Sequence, residues 1–189
     1  MVEQQKEVLK KVEILDYNPQ WADAYLAERR LLLATVRPSF VELEHIGSTA
    51  VLGLRAKLII DLMVAVPSLQ DRQPWLGQLE RVGYELIETD MQNRLFLRKI
   101  VSAPTHKAFH LHVVEQSTWL HRKERLMRDY LLRNPQDAKA YAAEKDRLAA
   151  IHPDDAIAYT VAKTAFIQGL FNKIYDDLRL PRIDAWSGE

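Results

Sequence analysis

Glu44-His45-Ile46-Gly47-Ser48-Thr49-Ala50-Val51, followed by Lys57-Leu58-Ile59-Ile60-Asp61-Leu62-Met63-Val64, is the stretch on which the fold turns. A tight polar turn leads into an apolar, β-branched run that contains one acid and is closed by Pro67. Leu58 to Val66 therefore predicts a central strand covered on both faces. Just upstream, Phe40 to Ile46 alternates apolar with acidic residues, the pattern of a strand with one exposed face. A lone carboxylate inside an apolar strand is disfavoured by several kcal/mol, so Asp61 demands a cationic or metal partner, or a pocket.

On the N-terminal side, Val12 to Leu15 predicts a short extended segment. Pro19 stands at a helix start, ahead of an apolar stripe with Trp21, Tyr25 and Leu26, and Arg37-Pro38-Ser39 ends that helix. On the C-terminal side, Ser68 is placed to cap a helix through Trp75, Leu76 and Leu79 to Val82, with Gly83 as its stop. Tyr84 to Glu88, Arg94 to Val101 and Ala108 to Glu115 predict three more strands in a meander. Helical stripes then cover Thr118 to Arg133, Gln136 to Ile151 and Asp154 to Leu178, divided at Asn134-Pro135 and His152-Pro153. The expected architecture is α/β of the α+β kind: one domain over residues 1–189, with a mixed sheet of about five strands in residues 12–116 and a helical part in 117–180.

Lys plus Arg and Asp plus Glu both total 26, so no net field draws the chain to nucleic acid or anionic lipid, and any anion site has to be local. The lack of cysteine excludes disulfides and thiolate metal sites, leaving histidine and carboxylate as strong metal ligands. Met1 to Lys11 is polar, without the apolar core of a signal peptide, and no apolar run reaches membrane-spanning length. The expectation is a soluble cytoplasmic protein without a membrane or nucleic-acid partner.

Gly47, Ser48 and Thr49 suit a phosphate cradle, because glycine lets the backbone come close while hydroxyls and amides donate to oxygens; a capped turn is the alternative. His110-Leu111-His112 places two imidazoles on one face of a strand. Beside the Asp61 strand they would complete a divalent-metal site of Asp61, His110 and His112, the alternative being two half-exposed strand histidines. His45 and Arg98 are candidates for meeting an anionic substrate, although Arg98-Lys99 equally fits a solvated strand edge. Arg128-Asp129-Tyr130 with Arg133, Tyr141 with Lys145, and Tyr159 with Lys163 place polar groups one helical turn apart and would form a basic wall above the sheet; helix packing is the alternative. No Gly-x-Gly-x-x-Gly turn accompanies them, which removes a dehydrogenase reading. Trp21, Trp75, Trp119 and Trp186 are too scattered for a stacking platform and read as packing residues.

Several ordered motifs identify a resemblance. Tyr17-Asn18-Pro19-x-Trp21, the 44–51 segment with Gly53-Leu54 and Ala56-Lys57, Ile59-Ile60-Asp61, His110-Leu111-His112-Val113, Arg128-Asp129-Tyr130-Leu131, and Tyr159 with Lys163 together resemble the GrpB family over nearly the whole chain. That family has the fold of polymerase-beta-type nucleotidyltransferases. In the superfamily a Gly-Ser turn holds the nucleoside triphosphate, an Asp-x-Asp or Asp-x-Glu pair binds magnesium, and a neighbouring strand adds a third carboxylate. Gly47, Ser48 and Asp61 match the turn and the first carboxylate. Met63 stands at the second carboxylate, the His110-Leu111-His112 strand takes the place of the third, and Leu58 replaces the family's usual proline.

Taken with the residues above, the resemblance leads to the expectation that a nucleotide or phosphorylated small molecule is bound by His45, Gly47, Ser48, Thr49, Lys57, Arg98, Lys145 and Lys163. Its enzyme version adds nucleotidyl transfer with a divalent metal (Mg, Mn or Zn) on Asp61, His110 and His112. The alternatives are a non-catalytic nucleotide- or ligand-binding regulatory module, and a metal-dependent hydrolase.

Overall fold

A computed structural model of the chain describes residues 11–36, 39–89, 91, 93–101 and 103–184. Helix α1 (Gln20–Thr35) precedes strand β1 (Glu42–Ile46), a 3-10 turn (Ser48–Ala50) and strand β2 (Ile59–Val66). Helix α2 (Gln73–Arg81) and strands β3 (Glu85–Ile87), β4 (Arg94–Ile100) and β5 (Ala108–Glu115) follow. A second 3-10 turn (Gln116–His121) leads to helices α3 (Lys123–Arg133), α4 (Pro135–Ile151), α5 (Ala156–Ala162) and α6 (Thr164–Asp177).

The sheet is mixed, in the order β1-β2-β5-β4-β3. Strand β2 runs antiparallel to β1 and parallel to β5, and β3, β4 and β5 form the expected antiparallel meander. A parallel neighbour requires a long crossover, here supplied by α2 and the outer two strands. The period of two divides β2 between both faces. Ile60, Leu62, Val64 and Val66 join Trp21, Leu32, Trp75 and Leu79 in the main core under α1 and α2. Met63 and Ala65 pack on the opposite face with Ile46, Val114 and Trp119. Asp61 is on that second face, in register with Ile46 on one side and His110 on the other. A separate core of α3, α4 and α6 joins the end of the first turn through Val51 and Leu54, roofing this face with helices.

Glu44 of β1 fastens the roof to the sheet. Its carboxylate accepts from Arg125 Nε and Nη2, both at 3.0 Å, and from Arg128 Nη1 at 2.7 Å. Removing one member of a charge network of this kind leaves the others uncompensated. Glu44→Ala is therefore expected to cost about 2–4 kcal/mol in urea unfolding, against about 1 kcal/mol or less for Arg147→Ala, whose Glu144 partner lies on its own exposed helix face.

Three expected boundaries move. Ser68 does not cap α2; its Oγ accepts from Gln70 N at 3.2 Å, while Leu69 N donates to Glu115 Oε1 at 3.1 Å, so this segment is a turn tied to the end of β5. The helix expected from Thr118 begins at Lys123, because the first residues form a 3-10 turn that seats Trp119 against the sheet. The single stripe from Asp154 to Leu178 is two helices that break at Lys163, the first capped by Asp155 through Ile157 N and Ala158 N. The short extended segment near Val12 is present as a bridge between Leu15 and Ala56. Trp21, Trp75 and Trp119 are buried, as packing residues should be. The predicted helix end at Arg37-Pro38 and the packing role of Trp186 lie outside the described residues. No described helix is long and apolar enough to cross a membrane.

Candidate functional site

Gly47 leaves β1 with φ +71° and ψ −171°, and Ser48 opens the 3-10 turn that follows. This backbone lies directly against Asp61: a Cβ on Gly47 would stand 2.3 Å from Asp61 Oδ2. Between the turn, the sheet face and the helical roof is a cavity of about 440 Å³. Gly47, Ser48, Lys57, Asp61, His110, His112, Lys145 and Lys163 all line it, so most of the sequence-derived set converges.

Three candidates do not line it. The His45 ring stacks on Tyr25 on the other side of β1, at 4.7 Å between centroids, and its Nε2 is 3.0 Å from Thr49 Oγ1. Thr49 also donates to Ile59 O at 3.3 Å, so its hydroxyl braces the turn from below. Arg98 is in register with His110, but its guanidinium reaches toward Glu85 of β3 (Nη2 to Oε2, 3.6 Å). Burial drives the pKa of His45 down to about 4, Asp61 opposing and Arg128 assisting.

The expected metal triad is also rearranged. Asp61 Oδ1 lies 3.4 Å from His110 Nδ1. His112 Nδ1 instead faces Arg94 Nη1 at 3.4 Å, and the same Arg94 nitrogen pairs with Glu124 of α3. Phe96 packs against both imidazoles, with centroids 4.9 and 5.1 Å away. Among the described residues no three His, Asp or Glu side chains are grouped to hold a metal ion. Asp61 thus meets His110, while His112 meets Arg94.

Burial lowers the pKa of His112 to about 4 against the pull of Glu124 and Asp61, with Arg94 and His110 lowering it further. Burial acts to raise Asp61, but the His110 hydrogen bond and the charges of His110, His112 and Lys57 outweigh it and hold the carboxyl below its usual range. His45 and His112 are both neutral in the fold down to about pH 4, whereas the unfolded chain protonates them near 6.5. The unfolded state therefore binds more protons between those values, and stability should fall as pH drops through this window. His45→Gln should flatten part of that loss in acid-titrated unfolding.

The basic wall is the strongest feature of the cavity. Lys145 Nζ donates to Ser48 Oγ at 3.1 Å and to Arg55 O, and lies 4.6 Å from the Tyr141 ring centroid. Lys57 and Lys163 both stand over the Tyr159 ring, at 5.3 and 4.6 Å. Burial depresses Lys145 to about 7, with Lys163 and Arg55 adding to the effect and Asp146 opposing it. Burial likewise brings Lys163 to about 8, with Lys57 contributing and Asp61 opposing. Lys57 is lowered too, by burial. Arg128, held by Glu44, is a further cation on the lining. The site can thus receive negative charge beside Ser48, with its cations already desolvated.

Phe96 and Glu124 line the cavity without having been singled out in the sequence, whereas Arg128 belongs to the basic wall expected there. Period two from His110 across to β4 would have found Phe96, whereas the placement of Glu124 and Arg128 depends on how α3 crosses the sheet.

Residues 11–173 match the family model described as GrpB protein. The chain belongs to the GrpB family. Among its GrpB relatives, the UPF0157 protein YqkA of Bacillus subtilis is 34% identical over 160 residues, which is 84% of this chain and 46% of that protein. The chain therefore spans less than half the length of that relative. The glutamate-rich protein GrpB of Alkalihalophilus pseudofirmus is 30% identical over 168 residues, covering 87% of this chain and 96% of that protein. The crystal structure of conserved protein GrpB from Enterococcus faecalis superposes with a TM-score of 0.78 at 30% identity, over 88% of this chain and 99% of that one. Terminal uridylyl transferase 4 from Trypanosoma brucei is similar at a TM-score of 0.50 and 16% identity, over all of this chain and 60% of that one. That likeness concerns the fold alone: this GrpB chain has a nucleotidyltransferase-type mixed sheet with a helical C-terminal part.

Proposed function

We propose that this GrpB protein binds a nucleotide or related phosphorylated small molecule in the cavity beneath Gly47 and Ser48. The observation that carries the reading is the convergence of Lys57, Lys145, Lys163 and Arg128 on one cavity whose turn offers Ser48. Buried ammonium groups without a matching number of carboxylates are unfavourable, and a phosphate supplies the missing negative charge. Terminal uridylyl transferase 4, which shares the fold, was solved with bound CTP. In this reading the lysines and the serine hydroxyl hold the ligand's phosphate. A cytoplasmic location, with access to nucleotides and phosphorylated metabolites, goes with this reading.

The test is a thermal-shift screen of nucleotides and phosphorylated metabolites, with and without magnesium. A ligand at 100 times its Kd adds about 2.7 kcal/mol to apparent stability, a readily measured rise in Tm. The expected result is that phosphorylated compounds raise Tm while their dephosphorylated counterparts do not. Equal shifts with and without the phosphate would remove the reading.

A further inference from the structure

We propose that Ser48 is a nucleophile and Lys145 its general base, so that the site forms a covalent Ser48 adduct with a bound phosphoanhydride. This rests on the phosphorylated-ligand reading and goes beyond binding. The geometry is that of an activated hydroxyl: Lys145 Nζ is 3.1 Å from Ser48 Oγ, and the Tyr141 ring packs against the same ammonium group at 4.6 Å. Lys145 is nearly fully buried, and Arg55 O holds one of its N–H groups. A neutral Lys145 keeps that donation and turns its lone pair to the Ser48 proton.

Phosphate binding alone does not require this arrangement, since Lys57 and Lys163 already offer positive charge from the Tyr159 side. The groups facing Lys145 are Ser48 and Arg55 from the turn region, Lys163 from the α5–α6 junction, and Tyr141 and Asp146 from its own helix. With burial, Lys163 and Arg55 favour its neutral form near pH 7, where a general base is useful. In the step, the Ser48 Oγ–H proton passes to Lys145 Nζ while Oγ bonds to phosphorus. The anhydride P–O bond breaks, and its electron pair leaves on the departing phosphate oxygen, facing Lys57 and Lys163.

The experiment uses a fluorophosphonate probe, which is a phosphorus electrophile that needs no metal, followed by intact-mass measurement and peptide mapping. The expected result is one adduct per chain, on Ser48, absent in Ser48→Ala, at a rate that rises with pH through about 7. Lys145→Met should slow labelling by about 100-fold or more, and Lys145→Arg, which keeps the charge but cannot act as a base, should not restore it. Near-UV circular dichroism of each variant separates loss of the dyad from loss of the fold. In parallel, ATP in magnesium-free buffer should raise Tm and leave a phosphoryl or nucleotidyl adduct on Ser48. No labelling, or labelling unchanged in Ser48→Ala, overturns the dyad; if phosphorylated compounds still raise Tm in that case, the binding reading stands without it. Labelling of Ser48 in a protein whose Tm no phosphorylated compound raises overturns the phosphoanhydride as donor, together with that reading.

Discussion

Lys163→Met is expected to weaken binding of a phosphorylated ligand by about 10- to 100-fold, the range for losing one charge-assisted hydrogen bond. The double variant with Lys145→Met should bind no more tightly than background. The physical reason is that both ammonium groups are held in a buried wall beside Ser48 and the Tyr159 ring, where an incoming phosphate restores the charge balance that burial removes. The same lysines set a pH dependence with a definite sign. In the free protein they lose their protons near 7 and 8, against 10.5 in an unfolded chain. Above about pH 8 a bound anion has to draw a proton back onto Lys163, while Lys145 stays neutral beside Ser48, so affinity should fall as pH rises from 7 to 9, although the phosphate itself stays fully ionised above its second pKa of about 6. Without ligand the effect on stability runs the other way. Between the folded and unfolded values the unfolded chain holds more protons, so stability rises with pH in that window. Lys145→Met should reduce that slope, which denaturant unfolding at pH 7, 8 and 9 would measure.

Gly47→Ala should be the most damaging single-atom-group change at the site, costing about 2–4 kcal/mol of stability and removing ligand binding. Its φ of +71° with ψ of −171° is a region that glycine alone occupies readily, and the added methyl would stand 2.3 Å from Asp61 Oδ2. Relief requires moving either the turn that carries Ser48 or the carboxylate on the cavity floor. Gly53→Ala is the control: Gly53 also has a positive φ, of +77°, but nothing lies within 4 Å of its added Cβ. It should cost only the backbone term, about 1 kcal/mol. Adding Asp61→Ala to Gly47→Ala should recover the part of the loss that comes from contact and leave the part that comes from φ. Equal unfolding midpoints for Gly47→Ala and Gly53→Ala would show that Asp61 does not brace the turn.

The sheet and the floor of the site were legible in the sequence because period-two patterns are local. Leu58 to Val66 reads as a doubly covered strand, and one acid within it marks the face that opens to the cavity. The alternation of His110 and His112 gave a shared face, and the pairing of β2 with β5 sets it beside Asp61. It could not give the rotamers: His112 turns to Arg94, and through it to Glu124, a residue supplied by a helix whose crossing angle no local pattern encodes. The same limit applies to His45 and Thr49. They adjoin the Gly-Ser turn in sequence, yet strand alternation sends His45 to the α1 side, where Thr49 meets it. Lys145 and Lys163 were found because a Tyr-x-x-x-Lys spacing repeats on two helices, but only the break between α5 and α6 shows why Lys163 can share the Tyr159 ring with Lys57.

The most direct test of the lysine-lined anion site is calorimetric titration of the best ligand from the screen at pH 8, in two buffers of different ionisation enthalpy. Binding to Lys163 predicts net proton uptake, seen as a buffer-dependent enthalpy that disappears in the double Lys145→Met, Lys163→Met variant along with the binding. Undiminished binding by that variant, or tight binding by the native protein with the same enthalpy in both buffers, would contradict it.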